Sequence, residues 1–297
     1  MKLLIIGSKG FIGSHLADFL LSKNYNVYEC DVAVDYLKTN YITIDATNSD
    51  FHAIFSAVKP DVCINCSGAA SVPDSLIHPL RDYILNTQNV FKMLDAIRIH
   101  QPACKFINLS SAAIYGNPAA LPVKESFIPA PISPYGWHKM QAEMICKEFY
   151  DYYQISTCSL RIFSAYGAGL TKQLLWDLHK KFTTNAVVEL FGTGNETRDF
   201  INIHDLVNAI DCCIHNARFE GEFINVGNGV EISIKQIADY FKTHYQLRKE
   251  VVFNGHTKPG DPLYWRADIS LLTAMGYKYA IDIETGIKQY ISWAKTV

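Results

Sequence analysis

KLLIIGSKGFIGSHL, Lys2 to Leu16, joins an apolar run, three glycines spaced three apart and the start of a helical pattern. The run is too short to span a membrane and lacks the long apolar region and cleavage site of a signal peptide. It reads as the first buried strand of a cytoplasmic protein. Gly7, Gly10 and Gly13 then lead into a helix from Phe11 to Leu21. Glycines at such a turn let backbone approach a pyrophosphate and set its charge against a helix N-terminus. The spacing is G-x-x-G-x-x-G, one residue off the dinucleotide pattern G-x-G-x-x-G. By itself it admits a phosphate site or an ordinary glycine-rich turn.

The rhythm continues outward. NVYEC (26–30), YITI (41–44), DVCINC (61–66), KFINLSS (105–111) and STCSLRIF (156–163) read as strands. Helical patterns cover Asp50 to Val58, Asn86 to Ile99 and Tyr135 to Tyr153. Near-continuous apolar strands separated by helices predict an α/β fold: a doubly wound, Rossmann-type parallel sheet covered on both faces. Beyond Phe163, AVVEL (186–190), EFINVG (222–227) and helices at Asp205 to His215, Ser233 to His244 and Ile283 to Trp293 suggest a smaller mixed α/β lobe. The expected division is 1–165 for dinucleotide binding, including the Tyr135 helix, and 166–297 mainly for substrate, with segments free to return to the first domain. Pro- and Gly-rich stretches, among them FIPAPISP (127–134) and TKPGDP (257–262), are expected pocket-wall loops.

With 297 residues, 49% hydrophobic and 19% charged, the chain can bury a large core. A formal net charge of -2 gives no general field for nucleic acid or an anionic membrane, so neither is an expected partner. An anionic ligand must be held by a few placed groups. The eight cysteines lie mostly in apolar runs, as reduced core side chains do. Cys63 and Cys66 form a CxxC without a second pair or histidine cluster at ligand spacing, so no metal is expected.

Asp31 ends the second strand, 18 positions after Gly13. A carboxylate there can accept from the adenosine ribose hydroxyls and would repel a 2'-phosphate, favouring NAD over NADP; otherwise it is a solvated turn residue. Asp45 reads equally as an adenine neighbour or a surface turn.

In SPYGWHKMQAE, Ser133 to Glu143, a helix starting near Pro134 puts Tyr135 and Lys139 on one face, four apart. The ammonium is expected to favour phenolate and lower the tyrosine pKa from about 10. Such pairs also occur on ordinary amphipathic helices. Ser110 and Ser111, ending KFINLSS, supply a hydroxyl partner where parallel sheets bind ligands.

The ordered set GSKGFIGSHL, SSAAIYG, SPYGWHK, LRIFSAYG, GTGNETRDF, GEFINVGNG and PGDPLYWRADIS spans nearly the whole chain. It resembles the extended short-chain dehydrogenase/reductase family, in its nucleotide-sugar epimerase/dehydratase branch. The resemblance implies NAD as cofactor, with Gly7, Gly10, Phe11, Ile12, Gly13, Asp31, Asp45, Ser67, Asn86, Tyr135 and Lys139 at its site. It implies Ser111, Tyr135 and Lys139 as the catalytic group: Tyr135 takes the proton of a sugar hydroxyl at C4, Lys139 holds the nicotinamide ribose, and Ser111 binds the reacting oxygen. The implied substrate is a nucleotide-diphosphate sugar held by Ser111, Ser164 and Arg198, with Lys258 where the family often has arginine, Arg266 as a possible substitute, and Trp265 beside the sugar C2 substituent. It also implies a homodimer built on the Asn86 to Ile99 and Tyr135 to Tyr153 helices.

Some readings stay open. A packing role competes for Asn86, a salt bridge with Asp199 for Arg198, and core packing for Trp265. His138 stands where the family often has serine and is expected to face away from the site. Ala112 and Ala113 replace the acidic pair that dehydratases carry, which disfavours dehydration. A 4-epimerase is the favoured activity, a 4-ketosugar reductase the alternative, and a non-catalytic NAD-binding module the reading from another class.

Overall fold

The structure, a computed structural model, describes residues 1–246, 249–258 and 260–297; residue 259 of the TKPGDP loop lies outside them. In chain order its strands are β1 (Lys2–Ile6), β2 (Asn26–Asp31), β3 (Tyr41–Thr43), β4 (Val62–Asn65), β5 (Lys105–Ser111), β6 (Thr157–Ile162) and β7 (Ser164–Tyr166). They continue as β8 (Val187–Leu190), β9 (Thr197–Arg198), β10 (Phe200–Asn202), β11 (Glu220–Val226), β12 (Ile232–Ser233) and β13 (Glu250–Phe253).

Seven of these form one parallel sheet in the order β11-β6-β5-β4-β1-β2-β3. The strand order reverses between β1 and β4, and the crevice outside their carboxyl ends is where such sheets bind ligands. Alternation along β1 explains its unbroken apolar sequence. Leu3 and Ile5 pack with Leu16, Leu20, Leu206 and Ile210 on one face. Leu4 and Ile6 pack with Phe55, Leu94, Ile97 and Phe149 on the other. Both faces are covered, so neither position tolerates a polar side chain.

EFINVG, read from the sequence into the smaller lobe, supplies the edge strand β11 of the main sheet, and the helix Ile203–Asn216 covers that sheet with Phe11–Ser22. The predicted helix over Asn86 to Ile99 also differs: Ile84–Gln88 form a π-helical turn, and the regular helix is Asn89–His100. Helix Gln173–Thr184 is absent from the elements read in the sequence, although Leu175, Leu178 and Phe182 give it a buried face. It packs in the smaller lobe with Val188, Leu190, Phe241 and Tyr290. A fourth cluster of Ile114, Tyr115, Val123, Phe163, Trp265 and Ala267 joins the late segment of the chain to the ends of β5 and β6. Among the described residues no helix is long and apolar enough to cross a membrane.

Candidate active site

The glycine loop is built for close backbone approach. Gly7 leaves β1 at φ +84°, and a Cβ there would lie 2.6 Å from the Ser67 backbone nitrogen after β4. A Cβ on Gly13 would lie 2.1 Å from the Gly7 carbonyl oxygen, so the helix Phe11–Ser22 presses directly onto the turn. Gly10 caps that helix without a side-chain bond, leaving first-turn N–H groups for an anion. Ile12 packs into the sheet core, while Phe11 bridges that core and the smaller lobe.

Asp31 ends β2 beside this loop. Its Oδ2 accepts from the Lys9 backbone N–H at 2.8 Å and its Oδ1 from Val32 and Ala33 at 2.7 and 3.2 Å. Asp45 is spent differently: its Oδ1 accepts from the Thr47 hydroxyl and from the backbone of Thr47 and Asn48. These bonds, the hydroxyl's first, hold its carboxyl below the usual range. It organises an exposed turn.

Across the crevice, the Ser67 hydroxyl donates to Asn65 Oδ1 at 2.6 Å. Asn86 is buried, and neither its Oδ1 nor its Nδ2 has a partner among the described residues. A Cβ built on Gly68 would lie 2.5 Å from Asn86 Oδ1 and 3.5 Å from Lys139 Nζ, so amide and ammonium flank one backbone site. A glycine cradle, a carboxylate at the end of β2 and an orphaned amide beside a buried ammonium together fit a dinucleotide.

The helix Pro134–Tyr153 starts firmly. The Ser133 hydroxyl accepts from the Gly136 N–H at 3.1 Å, Pro134 takes the first position, and the Tyr135 N–H donates to the buried Ser75 hydroxyl at 3.2 Å. Tyr135 and Lys139 share a face as expected, but the electrostatics correct the expectation. Lys139 Nζ donates to the Leu109 carbonyl at 2.9 Å and lies 6.0 Å from the Tyr135 ring centroid. Burial pushes the Tyr135 phenol up to about 12, with the facing Ser111 hydroxyl pulling the other way. Burial also brings Lys139 down to about 8, against the pull of Asp82. The protein's own groups therefore hold Tyr135 as phenol. Ser111 ends β5, and Ala112 and Ala113 follow in a 3-10 turn with no proton-transferring group.

Arg198 ends β9, its guanidinium 5.6 Å from the Trp265 ring centroid. Its Nη1 donates to the carbonyls of Thr197 (2.8 Å) and Leu263 (3.4 Å). Asp199 does not pair with it. That carboxylate accepts from the backbone N–H groups of Asn228, Gly229 and Ala267 at 2.8–3.0 Å, and burial raises it to about 6. Trp265 donates Nε1–H to the Gly116 carbonyl at 3.0 Å and stands edge-on to Phe163. Arg266, the next residue, lines a shallow groove of about 630 Å³ with Pro122, Asn228 and Asp268 that includes neither Arg198 nor Trp265. Lys258 is exposed over the Phe191 ring. Ser164 lies in β7, its N–H bonded to the Asp199 carbonyl.

Two buried groupings escape the sequence reading. Glu143, one turn beyond Lys139, accepts from Ser110 Oγ at 2.6 Å and from Arg161 Nη2 at 2.8 Å. Arg161 also reaches the Tyr115 hydroxyl, which donates to Asn225. An arginine inside the apolar strand LRIF is the signal that could have found this network. The second is a contact between His138 Nδ1 and Asp82 Oδ1 at 2.5 Å. Here only the helical phase of His138, off the Tyr135 face, was legible.

Residues 3–227 match the family described as NAD dependent epimerase/dehydratase. The UDP-glucose 4-epimerase of Halalkalibacterium halodurans is 26% identical, with 99% of this chain and 96% of the relative covered. Among solved structures, the UDP-glucuronic acid 4-epimerase of Bacillus cereus, in complex with UDP-glucuronic acid and NAD, is 26% identical at a TM-score of 0.90, covering 100% of this chain and 99% of that one. The Thermotoga maritima UDP-glucose 4-epimerase with UDP-glucose gives the same identity, score and coverage.

Proposed function

The chain belongs to the NAD dependent epimerase/dehydratase family, and from that premise we propose that it is a nucleotide-sugar 4-epimerase working through a transient 4-keto sugar. NAD is its cofactor, and it acts on nucleotide-diphosphate sugars. The observation that carries the finer reading is the meeting of Ser111 and Tyr135 beside the dinucleotide cradle, followed by Ala112 and Ala113, which cannot move a proton.

The glycine loop and Asp31 bind the adenosine and pyrophosphate end, and Lys139 with Asn86 takes the nicotinamide ribose. When bound, NAD supplies the hydride acceptor and a positive charge near Tyr135, which lowers the proton affinity of the phenol. Tyr135 then takes the proton from the sugar O4 and later returns it, and Ser111 donates a hydrogen bond to that oxygen. Arg198, anchored on Trp265 and the Leu263 carbonyl, is the half-buried cation for the diphosphate, with Lys258 an exposed second charge.

Loops around Arg198 and Trp265 fix the sugar's orientation. Exposed Trp137 and Met144, seven apart on the Pro134–Tyr153 helix, with exposed Leu80 and Phe91 on the helices packed against it, support a homodimer through this face. Sedimentation as a monomer in ultracentrifugation would remove that part of the reading.

The experiment is to denature the purified protein and assay released NAD and sugar nucleotide, then follow inversion at C4 of UDP-sugars by NMR. Inversion without added cofactor is expected. Stoichiometric consumption of NADH with a reduced product would instead establish the 4-ketosugar reductase.

A further inference from the structure

Lys139 is buried, yet its hydrogen-bond acceptor is the neutral Leu109 carbonyl. An ammonium out of water needs negative charge nearby or it gives up its proton. Four titratable groups surround it: Glu143 and Cys146 from its own helix, Cys66 after β4, and Asp82 from the short helix Pro79–Tyr83. Asp82 lines a narrow crevice with Ala69, the neighbour of Gly68, whose built Cβ lies 3.5 Å from Lys139 Nζ. Burial pushes both thiols up to about 12, so they are neutral. Glu143 is engaged by Arg161 and Ser110. Asp82 is different. It is buried, its Oδ1 meets His138 Nδ1 at 2.5 Å, and its Oδ2 has no partner among the described residues.

His138 sits between Tyr135 and Lys139 in the chain. Its carbonyl accepts from the Thr87 hydroxyl at 2.9 Å and its ring stands edge-on to Tyr83, so the imidazole is held toward Asp82. A carboxylate only accepts, so Nδ1 carries the proton of this bond.

We propose that Asp82 and His138 form a positioning pair, in which the Asp82 carboxylate is the counter-charge that keeps the Lys139 ammonium protonated and His138 fixes that carboxylate. The inference rests on the reading of Tyr135 and Lys139 as the proton-handling pair. Asp82 strengthens proton binding at both residues. Its other charged neighbours, Asp74, His78 and Arg81, line a narrow crevice with it but are exposed, where water screens them. A charge placed behind a buried lysine acts without touching substrate.

The test is a pH titration of protein labelled with [ε-13C]lysine, with the Lys139 resonance assigned by Lys139→Arg, in wild type, Asp82→Asn, His138→Phe and His138→Asn. The Lys139 midpoint should fall by about one pH unit in Asp82→Asn and His138→Phe. His138→Asn, whose amide can donate the same bond, should restore it. The pH profile of kcat/KM should slide toward lower pH in the same two variants, because both Lys139 and Tyr135 lose proton affinity. An unchanged Lys139 midpoint in either folded variant overturns the proposal. The resonance is read without turnover, so this failure is distinct from that of the epimerase reading, which an active Tyr135→Phe enzyme would bring down.

Discussion

Arg161 and Glu143 form an ion pair shielded from water, Nη2 to Oε2 at 2.8 Å, and Glu143 also accepts a hydrogen bond from the hydroxyl of Ser110, the neighbour of Ser111. The pair ties the Pro134–Tyr153 helix to β5 and β6 one turn beyond Lys139. Removing one partner strands a buried charge, so Glu143→Ala should cost about 3–5 kcal/mol in urea unfolding. Replacing both, as Glu143→Leu with Arg161→Met, should recover much of that loss. A cost below about 1 kcal/mol for Glu143→Ala would mean that Arg161 finds another partner.

Tyr135→Phe keeps the ring and removes the oxygen that faces Ser111. C4 inversion should fall by roughly 100-fold or more while NAD stays bound. Single-turnover reduction of bound NAD by the sugar nucleotide measures the step directly, and a near-normal rate would take Tyr135 out of the mechanism.

The role proposed for Asp31 is to discriminate between NAD and NADP. Its carboxylate stands against the Lys9 backbone at the end of β2, so a 2'-phosphate there would meet negative charge. NAD should bind at least about tenfold more tightly than NADP, a difference near 1.4 kcal/mol. Asp31→Ser should narrow the gap. Equal titration curves for the two cofactors in wild type would show that Asp31 does not face the ribose.

Features set by local period or turn chemistry were legible. The β1 strand, the glycine loop and the Tyr135–Lys139 face each follow from a few adjacent residues. Distant partners decided the rest. β11 joins the main sheet because β6 offers it an edge, which EFINVG does not encode locally. Asp45 reads equally as an adenine neighbour or a surface turn, and its carboxylate accepts from Thr47 two residues away. Lys139 was expected to lower the Tyr135 pKa, and burial outweighs it because the ammonium turns to Leu109. Arg266 reads in sequence as a substitute for the arginine that Lys258 replaces, yet it lines a groove that includes neither Lys258 nor Arg198.

Lys139 also carries a stability signature. Burial takes its pKa from about 10.5 to about 8, so between those values the unfolded chain binds a proton that the folded chain lacks. Stability of the cofactor-free protein should therefore rise with pH across that window, and below pH 8 the full penalty, about 3 kcal/mol, applies. Lys139→Met should be inactive and, at pH 7, more resistant to urea than wild type, with a smaller gain from pH 8 to 10. A variant less stable at pH 7 would show that the Leu109 bond and the Asp82 charge outweigh the desolvation.

The last prediction concerns the sugar. Trp265 is only 8% exposed, and it is fixed from three sides: its Nε1–H on the Gly116 carbonyl, its edge against Phe163, and the Arg198 guanidinium over its face. A side chain held this way makes a rigid wall. If it borders the C2 substituent, it excludes an acetamido group by steric cost. Wild type should favour a plain hydroxyl at C2 by about tenfold or more in kcat/KM, within the 1–3 kcal/mol that pocket shape supplies. Trp265→Ser will lose stability, because it opens a cavity and abandons the Gly116 carbonyl. The readout is therefore the ratio of kcat/KM for two UDP-sugars differing only at C2, measured on the same preparation, so that the folded fraction cancels. That ratio should move toward the acetamido sugar in the variant. A wild-type preference for the acetamido sugar would sink the proposal, and an unchanged ratio in Trp265→Ser would assign the wall to another residue, with the exposed Tyr264 the first to substitute.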